Sequence, residues 1–122
     1  MGKKILIVDD SASLRQVVNI ALSGAGYQVV EACDGRDGLT KAGAESFNLI
    51  VSDVNMPNMD GLTFVTEVKK LSQYKFIPVI MLTTESQNDT IAKGKEAGVK
   101  AWMVKPFKPD QMLDAVSKLL PP

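Results

Sequence analysis

Histidine is absent from all 122 residues. Its absence removes the commonest general base, the commonest zinc ligand and the imidazole that carries phosphoryl groups, so any chemistry here runs on carboxylates, hydroxyls and lysine. Cysteine occurs once, as Cys33, which excludes an intrachain disulfide. No apolar run is long enough to span a membrane, and the stretch Ile5–Val8 is too short for a secretory signal. Membrane insertion is therefore not expected, and the cytoplasm is the expected location. "MGKKIL" begins like a myristoylation site, but Leu6 stands where Ser or Thr is required. Positive charge is not in excess either: 14 basic residues balance 14 acidic ones. The lysines are scattered, which argues against direct nucleic-acid binding by this chain. The length suits one domain, residues 1–122, with one core and one site.

What is present is a repeating pattern. Short β-rich apolar runs at Ile5–Val8, Gln28–Ala32, Leu49–Val51, Ile77–Leu82 and Lys100–Val104 predict five strands. Between them lie segments with a single apolar stripe at helical spacing. These are Leu14, Val17, Val18, Ala21 and Leu22; then Phe64, Val65, Val68 and Leu71; and finally Met112, Leu113, Val116, Leu119 and Leu120. Asp60-Gly61 and Lys108-Pro109-Asp110 read as helix starts, and Gly24 to Gly26 and Gly98 as stops. Two further helices, near Gly35–Gly43 and Asp89–Ala97, carry internal glycines and are weaker signals. Strand-then-helix repeats predict an α/β fold with a parallel sheet covered on both faces, because right-handed crossovers put helices there. The continuous apolar character of ILIV, LIV and VIML fits strands buried on both sides. Pro121-Pro122 suits either a true terminus or the start of a linker.

In open α/β sheets, ligands bind outside the carboxyl ends of the strands. The first strand here runs into Asp9-Asp10, the third into Asp53, the fourth into Thr83-Thr84 and the fifth into Lys105-Pro106. Only the second, ending near Cys33-Asp34, falls outside the pattern if it is an edge. Singly, each has an ordinary explanation as a helix cap or a solvated lysine; four together point to a site. Asp9, Asp10 and Asp53 bring three negative charges and Lys105 returns one. Like charges about 4 Å apart repel by roughly 4 kcal/mol at an effective dielectric near 20, so the cluster calls for a counter-ion or a raised pKa. A divalent cation matches the deficit, and an all-oxygen ligand set favours Mg²⁺ with a phosphate oxygen completing it. Asp53 then suits a nucleophile that attacks phosphorus to form an acyl phosphate. Lys105 and the metal would take up charge, and Thr83 would hydrogen-bond a further oxygen. Asn55, two residues on, offers a backbone carbonyl to the metal, and Met56-Pro57 with Asp60-Gly61 forms a turn into the next helix.

"VDD", "DVNMPNMDG", "MLTTE" and "KPF", in this order, resemble the receiver domain of two-component response regulators, from the first strand to the last helix. The resemblance implies a flavodoxin-like (βα)5 fold, a doubly wound parallel five-stranded sheet of order 2-1-3-4-5. It implies phosphorylation of Asp53 by a phosphohistidine on a histidine kinase, which accommodates the missing histidine. It further implies Mg²⁺ held by Asp10, Asp53 and the Asn55 carbonyl, with Asp9 acting through water. Thr83 would sense the phosphoryl group, Lys105 would contact it, and Lys105-Pro106 would be a cis peptide. Such a chain is a phospho-acceptor assisting its own phosphorylation and dephosphorylation, not a turnover enzyme. With Glu85 two residues after Thr83, it is most similar to the stand-alone, CheY-like chemotaxis receivers. Its expected partners are then a CheA-like kinase and a flagellar motor switch protein or another protein output, with a phosphatase as a further one and a monomer as the expected state. Two features depart from that group: Trp102 replaces a switching tyrosine, and Gln87 and Asn88 stand where lysines are common.

A receiver has two conformations whose balance the phosphoryl group alters. Thr83 drawn toward that group would free space for Trp102 to repack, changing a partner surface that includes Ile91 and Trp102. Gly94 in the fourth helical segment suits an element that rearranges, or is simply a tolerated surface glycine. Ile91 also suits a core position, and Trp102, apart from the family pattern, a plain core or surface aromatic. Three other classes compete. A haloacid-dehalogenase-type phosphatase wants an acid two residues after its nucleophile, where this chain has the amide Asn55. A flavodoxin-type cofactor protein needs an anion-binding loop after the first strand, where Asp9 and Asp10 repel anions. A receiver cut from a DNA-binding regulator would continue beyond Pro121-Pro122.

Overall fold

The computed structural model describes residues 2–84, 98–99 and 101–120. Within them the chain alternates strand and helix: β1 (Lys4–Val8), α1 (Ala12–Gly24), β2 (Gln28–Ala32), α2 (Gly35–Ala44), β3 (Leu49–Asp53) and α3 (Gly61–Lys69). A short 3₁₀ turn (Ser72–Tyr74), β4 (Val79–Thr83), β5 (Ala101–Val104) and a C-terminal helix (Pro109–Leu119) follow. All strand pairs are parallel and the order is β2-β1-β3-β4-β5. The fold is thus flavodoxin-like, as expected. The predicted helix near Asp89–Ala97, with Gly94 and Ile91, lies outside the described residues, as do Glu85, Gln87 and Asn88.

The strands are apolar on both sides because each side of the sheet has its own core. Leu6, Val8, Ile50, Val79 and Met81 pack with Phe64, Val65 and Val68 toward α2 and α3. Ile5, Ile7, Leu49, Val51, Ile80 and Leu82 pack with Val18, Leu22, Met112 and Val116 toward α1 and the C-terminal helix. Alternation along a continuous apolar run therefore feeds two cores in turn, the pattern of a doubly covered parallel sheet.

Strand limits differ from the sequence reading at two places that matter. β3 runs on through Ser52 and Asp53, because Asp53 still pairs with Leu82 of β4 in the ladder; backbone pairing does not require an apolar side chain. β4 starts at Val79, two residues later than expected, since Pro78 has no N–H to give to the ladder. Asp53 and Thr83 are consequently the last residues of their strands and are held by the sheet itself. The internal glycines do not break α2, where Gly38 lies against Phe64 so closely that a Cβ would sit 2.8 Å from the ring.

Candidate functional site

Three carboxylates meet at the carboxyl ends of β1 and β3. Asp9, Asp10 and Asp53 each offer an oxygen within 4.8 Å of the others. Asp9 is fully buried and Asp53 is 6% exposed, whereas Asp10 faces solvent. The sheet register makes the convergence inevitable: Val8 stands beside Ser52, so the next residue of each strand places Asp9 beside Asp53.

Lys105 closes the cluster from beyond β5. Its Nζ lies 2.9 Å from Asp9 Oδ2 and 3.3 Å from Asp53 Oδ2. Its backbone N–H donates to the Thr83 carbonyl at 2.7 Å, and the following Lys105-Pro106 bond is cis. Thr83 is buried at the end of β4. Asn55 is exposed, two residues beyond Asp53 in the loop leading to α3.

The two buried carboxylates are not equivalent. Asp9 is engaged at both oxygens: Oδ1 accepts from Ser11 N–H at 2.8 Å and Oδ2 from Lys105. Its carbonyl accepts from the Arg15 guanidinium at 2.6 Å, and Arg15 is itself held by Glu31. Asp53 Oδ1 accepts from Val54 N–H at 2.9 Å, and it shares Lys105 with Asp9. Burial, and then the neighbouring Asp9 charge, raise the Asp53 pKa above its ordinary value; Lys105 and Val54 N–H only partly offset this. Burial works against the Lys105 ammonium, yet the Asp9 hydrogen bond and both carboxylates outweigh it, so its pKa is raised. One cation thus serves two buried acids.

This donor set fits Mg²⁺. All the donors are oxygens, one of them solvent-facing at Asp10, and surplus negative charge is what a hard divalent ion relieves. Asp9, with both oxygens already committed, suits a contact through water instead of a direct ligand. Beside Lys105 a largely apolar groove of about 470 Å³ opens between α1 and the chain after β5, lined in part by Leu14, Val17, Thr84, Pro106 and Phe107.

Trp102 pairs with Met81 across β4 and β5 and packs, half-buried, against the core on the α2 and α3 side. Thr83 pairs with Val104 two residues on, so the pleat directs Thr83 and Trp102 to the same side of the sheet. The indole Nε1 is buried and has no hydrogen-bond partner among the described residues. Ile91, the other expected surface residue, lies outside the described residues.

Several supporting residues escaped the sequence reading. Arg15 gave no signal, being one charge on an amphipathic helix. Gly61 was legible only as a helix start, yet it packs directly on Asp53: a Cβ there would fall 1.9 Å from the Asp53 carbonyl oxygen. Asn58, at the tip of the same loop, has φ 67°, and its side chain reaches the turn after β2, donating to Asp34 at 2.7 Å. An Asn inside a Pro-Asn-x-Asp-Gly stretch is a recognisable left-handed candidate, but its partner is visible only in three dimensions.

Residues 5–117 match the family model described as the response regulator receiver domain. Among curated relatives, the chain is 42% identical over 118 residues to the probable transcriptional regulator ycf27 of Cyanophora paradoxa, covering 97% of this chain and 48% of that one. It is 37% identical over 119 residues to chemotaxis protein CheY1 of Helicobacter pylori, covering 96% of each. The chain therefore spans about half of one relative's length and nearly all of the other's. Among solved structures, chemotaxis protein CheY4 of Vibrio cholerae superposes with a TM-score of 0.95 at 48% identity, covering 98% of this chain and 100% of that one.

Proposed function

As the chain belongs to the response regulator receiver domain family, we propose that Asp53 accepts a phosphoryl group from the phosphohistidine of a partner kinase. The observation that carries this reading is the single cluster in which Asp9, Asp10 and Asp53 converge on one another while Lys105 pairs with Asp9 and Asp53. An ionised Asp53 oxygen forms a bond to phosphorus while the phosphorus–nitrogen bond of the donor breaks, and the leaving imidazole nitrogen takes up a proton from solvent. Lys105 stabilises charge on the transferring oxygens, and Thr83 hydrogen-bonds the group once it is attached. Asp10, Asp53 and the Asn55 carbonyl hold Mg²⁺, with Asp9 contributing through water. When bound, the ion supplies Lewis-acid stabilisation of the phosphoryl oxygens. The chain is an acceptor that assists its own phosphorylation and its own dephosphorylation, in which water returns Asp53 to the carboxylate and frees inorganic phosphate. It works in the cytoplasm, beside its kinase.

The output is a protein surface switched by Thr83 and Trp102. A buried indole N–H that finds no partner among the described residues is an unfavourable arrangement, and a second position of the ring that satisfies it gives the phosphoryl group a state to favour. On adding Mg²⁺ with beryllofluoride, Trp102 emission is expected to shift; a spectrum indifferent to both removes this part of the reading.

Chemotaxis is the favoured pathway, with a CheA-like kinase and a flagellar motor switch protein as partners, because the resemblance to CheY1 and CheY4 runs over nearly their whole lengths. The 42% identity to ycf27, of which the chain spans 48%, supports a second reading as the receiver part of a transcriptional regulator. Capture of a motor switch protein by the beryllofluoride-loaded chain favours the first, and its failure favours the second.

The central test is labelling. Acetyl phosphate with Mg²⁺, or a phosphorylated kinase, is expected to label the parent chain at Asp53 and to leave Asp53→Asn unlabelled with its fold intact. Full labelling of that variant would overturn the assignment.

A further inference from the structure

The loop between β3 and α3 is fixed at two places. At its base, Gly61 N–H donates to the Val54 carbonyl at 2.8 Å. At its tip, Asn58 Nδ2 donates to Asp34 Oδ2 at 2.7 Å, and beside it Gly35 N–H donates to the Met59 carbonyl at 3.3 Å. Asn55 lies between base and tip. Its backbone carbonyl, a metal donor in the reading above, is carried by this loop and not by β3.

Two features coincide on Asn58. Among the described residues it is the one non-glycine residue with positive φ, at 67°, a conformation that most side chains resist and Asn tolerates. It also carries the amide that crosses to the neighbouring turn. Asp34 is well placed to hold that amide, because its other oxygen, Oδ1, caps α2 by accepting Asp37 N–H at 2.8 Å. The cap fixes the carboxylate and aims Oδ2 at the loop. Gly35 shows how closely the two turns abut: a Cβ there would lie 2.6 Å from the Met59 carbonyl oxygen. The end of β2 therefore contributes to the site as a brace, although it supplies no ligand.

We propose that Asn58, anchored by Asp34, is a positioning residue for the metal side of the acceptor site, a role that rests on the reading of Asp53 as a Mg²⁺-dependent acceptor. Outer-sphere partners that orient a ligand are commonly worth about ten- to a hundred-fold in metal affinity. With the Asn58 tether lost, the tip keeps only the longer bond from Gly35 N–H to the Met59 carbonyl, and the Asn55 carbonyl samples orientations that do not face the ion.

Calorimetric titration of Mg²⁺ into the full chain, with no phosphodonor present, tests this beside a thermal melt of each variant without metal. Asn58→Gly keeps the left-handed backbone and removes the amide. It is expected to weaken Mg²⁺ binding about tenfold while the metal-free melt changes little. Asn58→Asp sets one carboxylate against another and adds negative charge to the loop. Were charge alone decisive it would bind Mg²⁺ more tightly; loss of positioning makes it bind more weakly. In Asp34→Asn with Asn58→Asp, amide and carboxylate exchange places, the bond between the two turns is restored and the exchanged amide still caps α2, so most of the affinity returns. Parent-like Mg²⁺ binding by Asn58→Gly, tighter binding by Asn58→Asp, or a double variant that melts like the parent without recovering affinity would each overturn the proposal. A parent chain that binds no Mg²⁺ would overturn the acceptor-site reading itself.

Discussion

Asp34 stands in the turn after β2 and Asp53 at the end of β3, and they are similarly hidden, at 8% and 6% exposed. Their protonation behaviour is opposite. Each Asp34 oxygen receives its own N–H, from Asp37 at 2.8 Å and from Asn58 at 2.7 Å. The backbone bond from Asp37, followed by the side-chain bond from Asn58, lowers its pKa below 3.8 in spite of burial. Asp53 shares one lysine with Asp9, and burial together with the Asp9 charge raises its pKa above 3.8. Burial alone therefore does not make a carboxylate reactive. What separates the two is whether the negative charge is matched within the protein or left to be matched by something that binds.

The largest expected effect follows directly. Asp34→Asn should retain labelling by acetyl phosphate, since an amide caps α2 as well as a carboxylate, while Asp53→Asn loses it entirely. Equal loss in both, measured at saturating Mg²⁺, would erase the distinction. A smaller effect comes from the backbone behind each site. Gly61→Ala puts a Cβ 1.9 Å from the Asp53 carbonyl oxygen, so the strand end must shift. About 1–3 kcal/mol of stability should be lost by denaturant titration, with slower labelling of an otherwise intact Asp53. Gly43→Ala, a glycine inside α2 whose Cβ would meet nothing within 4 Å, should instead gain roughly 0.5–1 kcal/mol and label at the parent rate.

Which parts of this were legible in the sequence depends on range. The strands announced themselves because ILIV and its counterparts supply both cores at once. Asp9, Asp10, Asp53, Thr83 and Lys105 were legible because the carboxyl edge of a parallel sheet gathers whatever follows its strands, and no pairwise contact had to be known. Strand order came from the family resemblance, since the pattern alone allows several. Arg15, Asn58 and Gly61 stayed hidden for a common reason: their roles are set by partners from other turns, Asp9, Asp34 and Asp53, and nothing local marks such a pairing. Asp34 was read as standing apart from the site because strand β2 is an edge; it does lie at the edge, and its contribution passes through Asn58.

The smallest effect, and the one that probes charge matching most directly, is the pH dependence of stability. A carboxylate whose folded pKa is lowered contributes stability that is present above the unfolded value and lost as pH falls through the folded one. Asp34→Ala should therefore cost about 1 kcal/mol near neutrality, and its deficit should shrink only as pH drops below 3.8, the ordinary value from which Asp34 is lowered. Asp53 has the opposite sign. Its folded pKa is raised, so the associated stability is present below the unfolded value and lost as pH rises through the folded one. Ionised Asp53 is thus a burden at neutral pH, and Asp53→Asn should be more stable than the parent there, with the advantage fading as pH falls toward 3.8. Mg²⁺ should remove the same advantage from the other direction, since an ion bound to the folded parent at a hundred times its dissociation constant adds about 2.7 kcal/mol. A variant lacking one ligand gains less. Denaturant midpoints of parent and Asp53→Asn across acid pH, with and without Mg²⁺, decide the matter: a parent more stable than its variant in metal-free neutral buffer would mean that Lys105 already balances the pocket, and that Asp53 differs from Asp34 in position alone.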